Sequence, residues 1–184
     1  MQSASVFFLV DYSRAPMAET QTLTLDDMYG YYAAHSEEIL GYLVNRGFDR
    51  QTAEDLTHDT FFKACRQVSK GNVRADNVRA WLFRIAHNSA VSKFRRKTET
   101  SLPQTEIAAK DTTAQSDEKI LSESIAVFVA QNFSQREREV FDLRIVQAMT
   151  FQDTADILGM SKTTVIRIDE NNLRRIKERF GEVE

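Results

Sequence analysis

Helix breakers are scarce in this chain: 184 residues contain 2 prolines and 6 glycines, and long stretches carry neither. Turn-rich β folds need such residues at regular intervals, so their scarcity points to helices joined at a few marked stops. Hydrophobic residues make up 42% and charged residues 28%, an ordinary globular balance that excludes wholesale disorder. The length falls between one domain and two small ones, so the division of the chain must come from its pattern.

Three helical stretches come first. Thr24 followed by Asp27 reads as a capping box, with acid in the first turn where the helix dipole favours it. Behind it Leu25, Met28, Tyr32, Ile39 and Leu43 recur at helical spacing, and Gly47 ends the run. Asp49 caps a second helix with the stripe Ala53, Leu56, Thr60, Ala64 and Val68, closed by Gly71. A third runs from about Asn77 to Lys97, with Val78, Trp81, Leu82, Ile85 and Phe94 inward.

Charge then divides the chain. From Asn77 to Lys97 there are six basic residues and no acid, whereas Thr98 to Glu118 carries Glu99, Glu106, Asp111, Asp117 and Glu118 against Lys110 alone. Thr98 to Ser116 has no sustained period and reads as an acidic, flexible tether around Pro103. Residues 1–23 read as a disordered extension, with Met17 a more natural opening than Met1 and the first sixteen residues loose or upstream of the true start.

A second module starts near Asp117. Leu121, Ile125, Phe128 and Val129 mark its first helix, and Ser134 to Glu137 is a capping box before Val140, Phe141, Leu143 and Ile145. Thr150 to Asp153 opens a short helix stopped at Gly159. Ser161 caps a last helix with Val165, Ile168, Leu173, Ile176 and Phe180 inward. A short helix, a glycine in a tight turn and a capped second helix form the helix-turn-helix pattern. The expected fold class is therefore all-α: one helical bundle over 24–97 and a helix-turn-helix module over 117–184, joined by a tether at 98–116.

The same residues narrow the function. Cys65 is the only cysteine and sits on an apolar helical stretch, which suits a reducing cytoplasm and a buried role. The apolar run from Ser5 to Val10 is too short to span a bilayer, so the reading includes no membrane insertion. His35, His58 and His87 are scattered and no glycine-rich phosphate loop appears, so the sequence calls for no cofactor, no metal and no enzyme chemistry. The net charge of −3 argues against indiscriminate coating of nucleic acid, and draws attention to where the bases cluster.

Several segments resemble one family. Ala53-Glu54-Asp55-Leu56-Thr57-His58-Asp59-Thr60-Phe61 and Arg79-Ala80-Trp81-Leu82-Phe83-Arg84-Ile85-Ala86-His87-Asn88, with Phe94-Arg95-Arg96, are similar to region two of the extracytoplasmic-function sigma factors. Arg138-Glu139-Val140-Phe141 and Phe151 to Ser161 resemble region four. The resemblance implies a sigma-70-type initiation factor that binds core RNA polymerase at its clamp helices and flap and directs promoter-specific transcription. It also admits an anti-sigma factor wedged between the modules.

What the resemblance assigns can be placed on faces. Docking on polymerase falls to Glu54, Asp55, His58, Asp59, Phe62 and Arg66, acids mixed with an aromatic that suit a protein better than a phosphate backbone. Capture of the melted minus-ten strand falls to Arg79, Arg84, Lys93, Arg95, Arg96 and Lys97 for phosphates, with His87 and Asn88 near base level. The loop from Asn72 to Asp76 is the implied pocket for a flipped base, and Trp81 counts as core. Major-groove reading of the minus-thirty-five duplex falls to Lys162, Thr163, Thr164, Ile166, Arg167 and Arg174, beside Glu170.

The last helix departs from the family's pattern. Ile166, Ile168 and Asn171 stand where lysine or arginine is common, and Asp169 and Glu170 add negative charge. Thr52, His58, Ser92 and Thr163 are further departures. Two other readings therefore stand beside the first: a helix-turn-helix regulator of duplex DNA that works without polymerase, and a sigma-like decoy acting through protein contacts.

Overall fold

The computed structural model describes residues 21–71, 73–75, 77–100 and 117–181, with the side chains of 21, 22, 74, 75, 97–100 and 117–120 outside that description. Helix α1 spans Leu25–Asn45, α2 Arg50–Val68, α3 Val78–Thr100 and α4 Asp117–Asn132. Then come α5, Gln135–Phe141; a π-helical turn, Asp142–Val146; α6, Phe151–Leu158; and α7, Lys162–Phe180. Two short strands, β1 (Gln21–Thr22) and β2 (Arg74–Ala75), pair antiparallel. That pairing lies partly in a segment expected to be disordered. Residues 1–20 and 101–116, and with them most of the expected extension and tether, lie outside the described residues.

Helix starts follow the caps. The Thr24 hydroxyl accepts from the Asp27 amide while Asp27 accepts from the Thr24 amide, and Ser134 and Glu137 repeat the arrangement at α5. Asp49, Thr150 and Ser161 cap α2, α6 and α7 through their side chains. Each such cap contributes about 1 kcal/mol. Gly159 ends α6 at φ 63, a left-handed conformation glycine adopts without the Cβ penalty, and so sets the tight turn into α7.

The first module packs α1, α2 and α3 around Ile39, Tyr42, Leu43, Ala53, Phe61, Ala64, Leu82, Phe83 and Ala86. Burial on α1 concentrates in its second half, so Leu25 and Tyr32, expected inward, are 53% and 39% exposed. Periodicity gives the apolar face of a helix, not how far its neighbours cover it. Helix α3 runs three residues past its expected end at Lys97, into the segment read as tether.

The second module closes around Val140, Ala155 and Val165. After α5 the backbone widens: the Gln147 amide donates to the Asp142 carbonyl at 2.8 Å, and the Met149 amide to the Leu143 carbonyl at 2.8 Å. This turn seats Leu143 fully in the core but rotates Ile145, expected inward, out to 45% exposure. Ala148 follows at φ 48.

The two modules share a core. Leu143, Met149 and Ile157 of the second bury against the cluster of the first, with α3 lying on α6. Polar contacts join them: Arg46 Nη2 to Glu139 Oε1 at 2.8 Å, Asn45 Nδ2 to Asp142 Oδ1 at 3.1 Å, and Asn77 Nδ2 to Asp153 Oδ2 at 3.0 Å.

Candidate nucleic-acid interface

Helix α3 carries two faces. Ala80, Leu82, Phe83, Ile85, Ala86, Ser89 and Ala90 are buried, whereas Arg84, Asn88, Val91, Lys93, Arg95 and Arg96 are exposed. Arg84, Asn88 and Arg95 fall at i, i+4 and i+11, on one side of the helix, so guanidinium groups flank an amide along a single stripe. Cations that can hold phosphates beside a group that can read a base edge are what capture of a single strand requires. Trp81 is half-buried and packs against the core. The Lys97 side chain lies outside the described residues, as do Asn72 and Asp76 of the loop before α3.

Two residues assigned to the strand stand elsewhere. His87 is 8% exposed, beneath the module contact and not near an open base-reading surface. Its Nδ1 lies 3.2 Å from Arg46 Nη1 and 3.1 Å from the Tyr42 hydroxyl. Because guanidinium only donates, that nitrogen accepts, which puts the ring proton on Nε2. Burial, then the Arg46 charge, pushes the imidazole down to about 4. Burial likewise raises the Tyr42 hydroxyl. Arg79 is half-buried and committed: its Nε donates to Glu38 at 2.9 Å and its Nη1 to the Gln147 carbonyl at 2.8 Å. Burial works to raise the Glu38 carboxyl, but Arg79 and His35 outweigh it and hold the group below its usual range. The sequence showed a basic run, and helical phase around the second module decides which members of it meet water.

On α2, Asp55, His58, Phe62 and Arg66 are exposed, and Glu54 and Asp59 half-buried. Phe62 is 68% exposed, a large apolar ring offered to solvent. Glu54 pairs with Arg50 at 2.9 Å and Asp59 with Lys63 at 2.6 Å, contacts along the helix that contribute about 0.3–0.5 kcal/mol each. A shallow cleft of about 210 Å³ opens beside them between α1 and α2, lined by Tyr32, Ser36, Glu37, Leu40, Glu54 and His58 among others.

Helix α7 is held by the elements behind it. Glu137 receives Arg175 at 3.2 Å, and Asn172 Nδ2 donates to the Glu137 carbonyl at 2.9 Å. Lys162, Thr163, Arg167 and Glu170 are exposed. Arg174 is exposed too, and donates to Asn171 at 2.7 Å. Thr164 is half-buried with its hydroxyl 2.8 Å from that of Ser161, so it belongs to the cap. Ile166, read as exposed, is half-buried. Asp169, read as adding negative charge to this helix, is 5% exposed, and burial raises its carboxyl against the opposing pull of Arg144.

Sequence reasoning missed the polar seam of Arg46, Glu139, Asn45 and Asp142. The Arg46 side chain is 4% exposed and Glu139 14%. Burial pushes the Asp142 carboxyl up to about 6, with Asn45, Gln147 and Arg46 pulling the other way. Among the described residues, Arg46 Nε and Asp142 Oδ2 have no hydrogen-bond partner. Charged residues on amphipathic helices usually face solvent, and pairs separated by 93 and 97 positions leave no local signal.

The architecture is a three-helix bundle with an exposed basic stripe on its third helix, followed by a helix-turn-helix. The Sigma-70 region 2 family model matches residues 31–100 and the Sigma-70 region 4 model residues 131–178, and the chain belongs to the sigma-70 family, in its extracytoplasmic-function group. It is 29% identical over 150 residues to RNA polymerase sigma factor YlaC of Bacillus subtilis, covering 77% of this chain and 83% of that protein. It is 24% identical over 160 residues to ECF RNA polymerase sigma factor BldN of Streptomyces coelicolor, covering 82% of this chain and 59% of that one. The sigma factor RpoE, solved in complex with the anti-sigma factor NepR from Bartonella quintana, shares the fold with a TM-score of 0.67 at 20% identity, over 86% of this chain and 99% of RpoE.

Proposed function

We propose that this chain binds core RNA polymerase and directs initiation at specific promoters, with region two docking and capturing the melted minus-ten strand and region four reading the minus-thirty-five duplex. The exposed stripe of Arg84, Asn88 and Arg95 on α3, in one chain with a complete helix-turn-helix, carries the reading. A duplex-only regulator has no use for such a stripe. The burial of Asp169 also bears on the decoy reading, because it takes one of the helix's two acids off the reading face. Lys162, Arg167 and Arg174 then outnumber Glu170 there.

The chemistry is binding without catalysis. Arg84, Lys93, Arg95 and Arg96 hold phosphates and Asn88 reads a base. Phe62 with Asp55, His58 and Arg66 forms the docking face for polymerase. Arg167 supplies about 1–3 kcal/mol of base discrimination if it engages a guanine with both nitrogens, while Lys162 serves a phosphate. Among the described residues no helix is long and apolar enough to cross a membrane, and the cytoplasm, where polymerase works, is the place this reading requires. An anti-sigma factor is a further partner in this reading, supported by the complexes in which structural relatives were solved.

The closed arrangement sets a condition on this function. Minus-ten and minus-thirty-five elements lie roughly 85 Å apart along a duplex (about 25 base pairs at ~3.4 Å), whereas α3 rests directly on α6. Reading both at once requires the modules to part. The sixteen residues from Ser101 to Ser116 reach at most about 55 Å, and the lengths of the modules supply the rest.

The test is a titration of labelled core polymerase with the chain and its Phe62→Ala variant. The reading expects saturable one-to-one binding that weakens about tenfold or more on losing the ring, as for an interface anchor. An absence of binding by the parent chain would refute it.

A further inference from the structure

We propose that Gln21–Leu23, ahead of the first helix, is a positioning element for minus-ten recognition: it holds the loop between α2 and α3 as the second strand of a small antiparallel ladder. The proposal rests on the reading of that loop as the base-capture site. It adds the claim that a segment remote in sequence fixes the loop's shape.

The register pairs Gln21 with Ala75 and Thr22 with Arg74, and the Leu23 amide donates to the Val73 carbonyl at 3.1 Å. Leu23 is 5% exposed within the core, and Val73 packs against the same cluster. One residue on, the Thr24 capping box starts α1, so the direction in which the strand leaves the bundle is fixed by a buried side chain and a cap together. The loop's far end is tied as well: the Asn77 side-chain oxygen accepts the Ala80 amide at 3.1 Å at the start of α3. The described part of the loop is thus held between the N-terminal strand and the basic helix.

Such a ladder adds little to the bundle, since two residues of pairing are marginal alone. Its effect falls on the loop. An unpaired loop must be ordered by the base it captures, and each ordering step weakens capture. A loop already paired to β1 meets the base in one shape, which favours capture and sharpens the difference between a fitting base and a misfit.

The register supplies a test with its own control. Antiparallel pairs alternate between those that exchange hydrogen bonds and those that do not. With Leu23 and Val73 in a bonded pair, Gln21 and Ala75 form the next, and the Thr22 amide points away from β2. Gln21→Pro therefore removes a ladder donor, Thr22→Pro does not, and removal of residues 1–22 deletes the strand while keeping Leu23 and the cap. Full-length factor with core polymerase is assayed for core affinity, for the rate of opening a duplex promoter, and for the ratio of rates on cognate and single-base minus-ten variants. Amide exchange at Val73 and Ala75 is followed in parallel.

The expected result is unchanged core affinity with opening slowed about fivefold to tenfold for Gln21→Pro and the truncation, the scale of one lost ladder bond. Base selectivity narrows and Ala75 exchanges faster, while Thr22→Pro resembles the parent. The proposal is overturned if both perturbed forms open promoters like the parent, if the two proline variants behave alike, or if core affinity falls in step. A parent chain that opens no promoter refutes the underlying function and this proposal with it, and is recognised because the failure precedes any substitution.

Discussion

Replacing Glu139 by alanine should open the molecule without unfolding either module. The Arg46 side chain is 4% exposed, and its guanidinium meets Glu139 at 2.8 Å, the Tyr42 hydroxyl at 3.0 Å and the His87 ring at 3.2 Å. Removing one member of a buried pair costs about 3–5 kcal/mol, because the remaining charge stays out of water. Asp142, still charged above its raised pKa, keeps the loss toward the lower end. This pair has an escape that most lack: parting the modules returns Arg46 to solvent. The cost therefore appears as a shift in the closed-to-open ratio of about two to three decades. Energy transfer between labels at Gln67→Cys and Lys177→Cys, both exposed positions, in a Cys65→Ala background would report it, with circular dichroism checking that helicity is kept. The paired change Arg46→Met with Glu139→Leu should restore closure, since apolar side chains often replace a buried ion pair at no loss. A Glu139→Ala chain with parental transfer efficiency, or one that loses helicity instead, would show that the seam does not hold the modules together.

His87 is held down at about 4, so the folded closed form binds fewer protons than the unfolded chain between there and 6.5, and its contribution to stability grows with pH across that window. Asp142 is pushed up to about 6, so the folded form binds more protons between 3.8 and there, and stability falls as pH rises. The two slopes oppose one another; Asp142→Asn should unmask the rising one in urea titrations from pH 4 to 7, and an unchanged profile would contradict it. Ala148→Gly relieves a φ of 48 and should raise stability by up to about 1 kcal/mol, checked by the midpoint of denaturant unfolding. Arg95→Ala with Arg96→Ala should impair open-complex formation, read by reactivity of unpaired thymines, more than affinity for core; equal losses would move those residues out of the strand-binding stripe.

Local chemistry made the helices legible. Thr24, Asp49, Ser134, Thr150 and Ser161 announce five starts, and Gly159 marks the stop that makes the helix-turn-helix, because caps and left-handed turns are decided within a few residues. The exposed face of α2, with Phe62 on it, was legible for the same reason, once the phase of α2 was set by Ala53, Leu56, Thr60 and Ala64. What was hidden depends on distance along the chain. Nothing near Gln21 signals a partner at Ala75, and nothing near Arg46 signals Glu139. The widening at Asp142–Val146 breaks the helical count that put Ile145 inward, and Asp169 turns into the module where its charge suggested solvent. His87 and Arg79 belong to a basic helix by sequence, but the second module lies over the part of the helix that carries them.

With core polymerase, this chain should open promoters. Run-off transcription by core polymerase, with and without the chain, on fragments enriched from random DNA by the reconstituted holoenzyme tests it most directly. The expected transcripts depend on the chain and start a fixed distance from one shared two-part sequence. Enrichment of a duplex sequence by the chain alone, with no transcript when core is added, would contradict it and leave a regulator that works without polymerase.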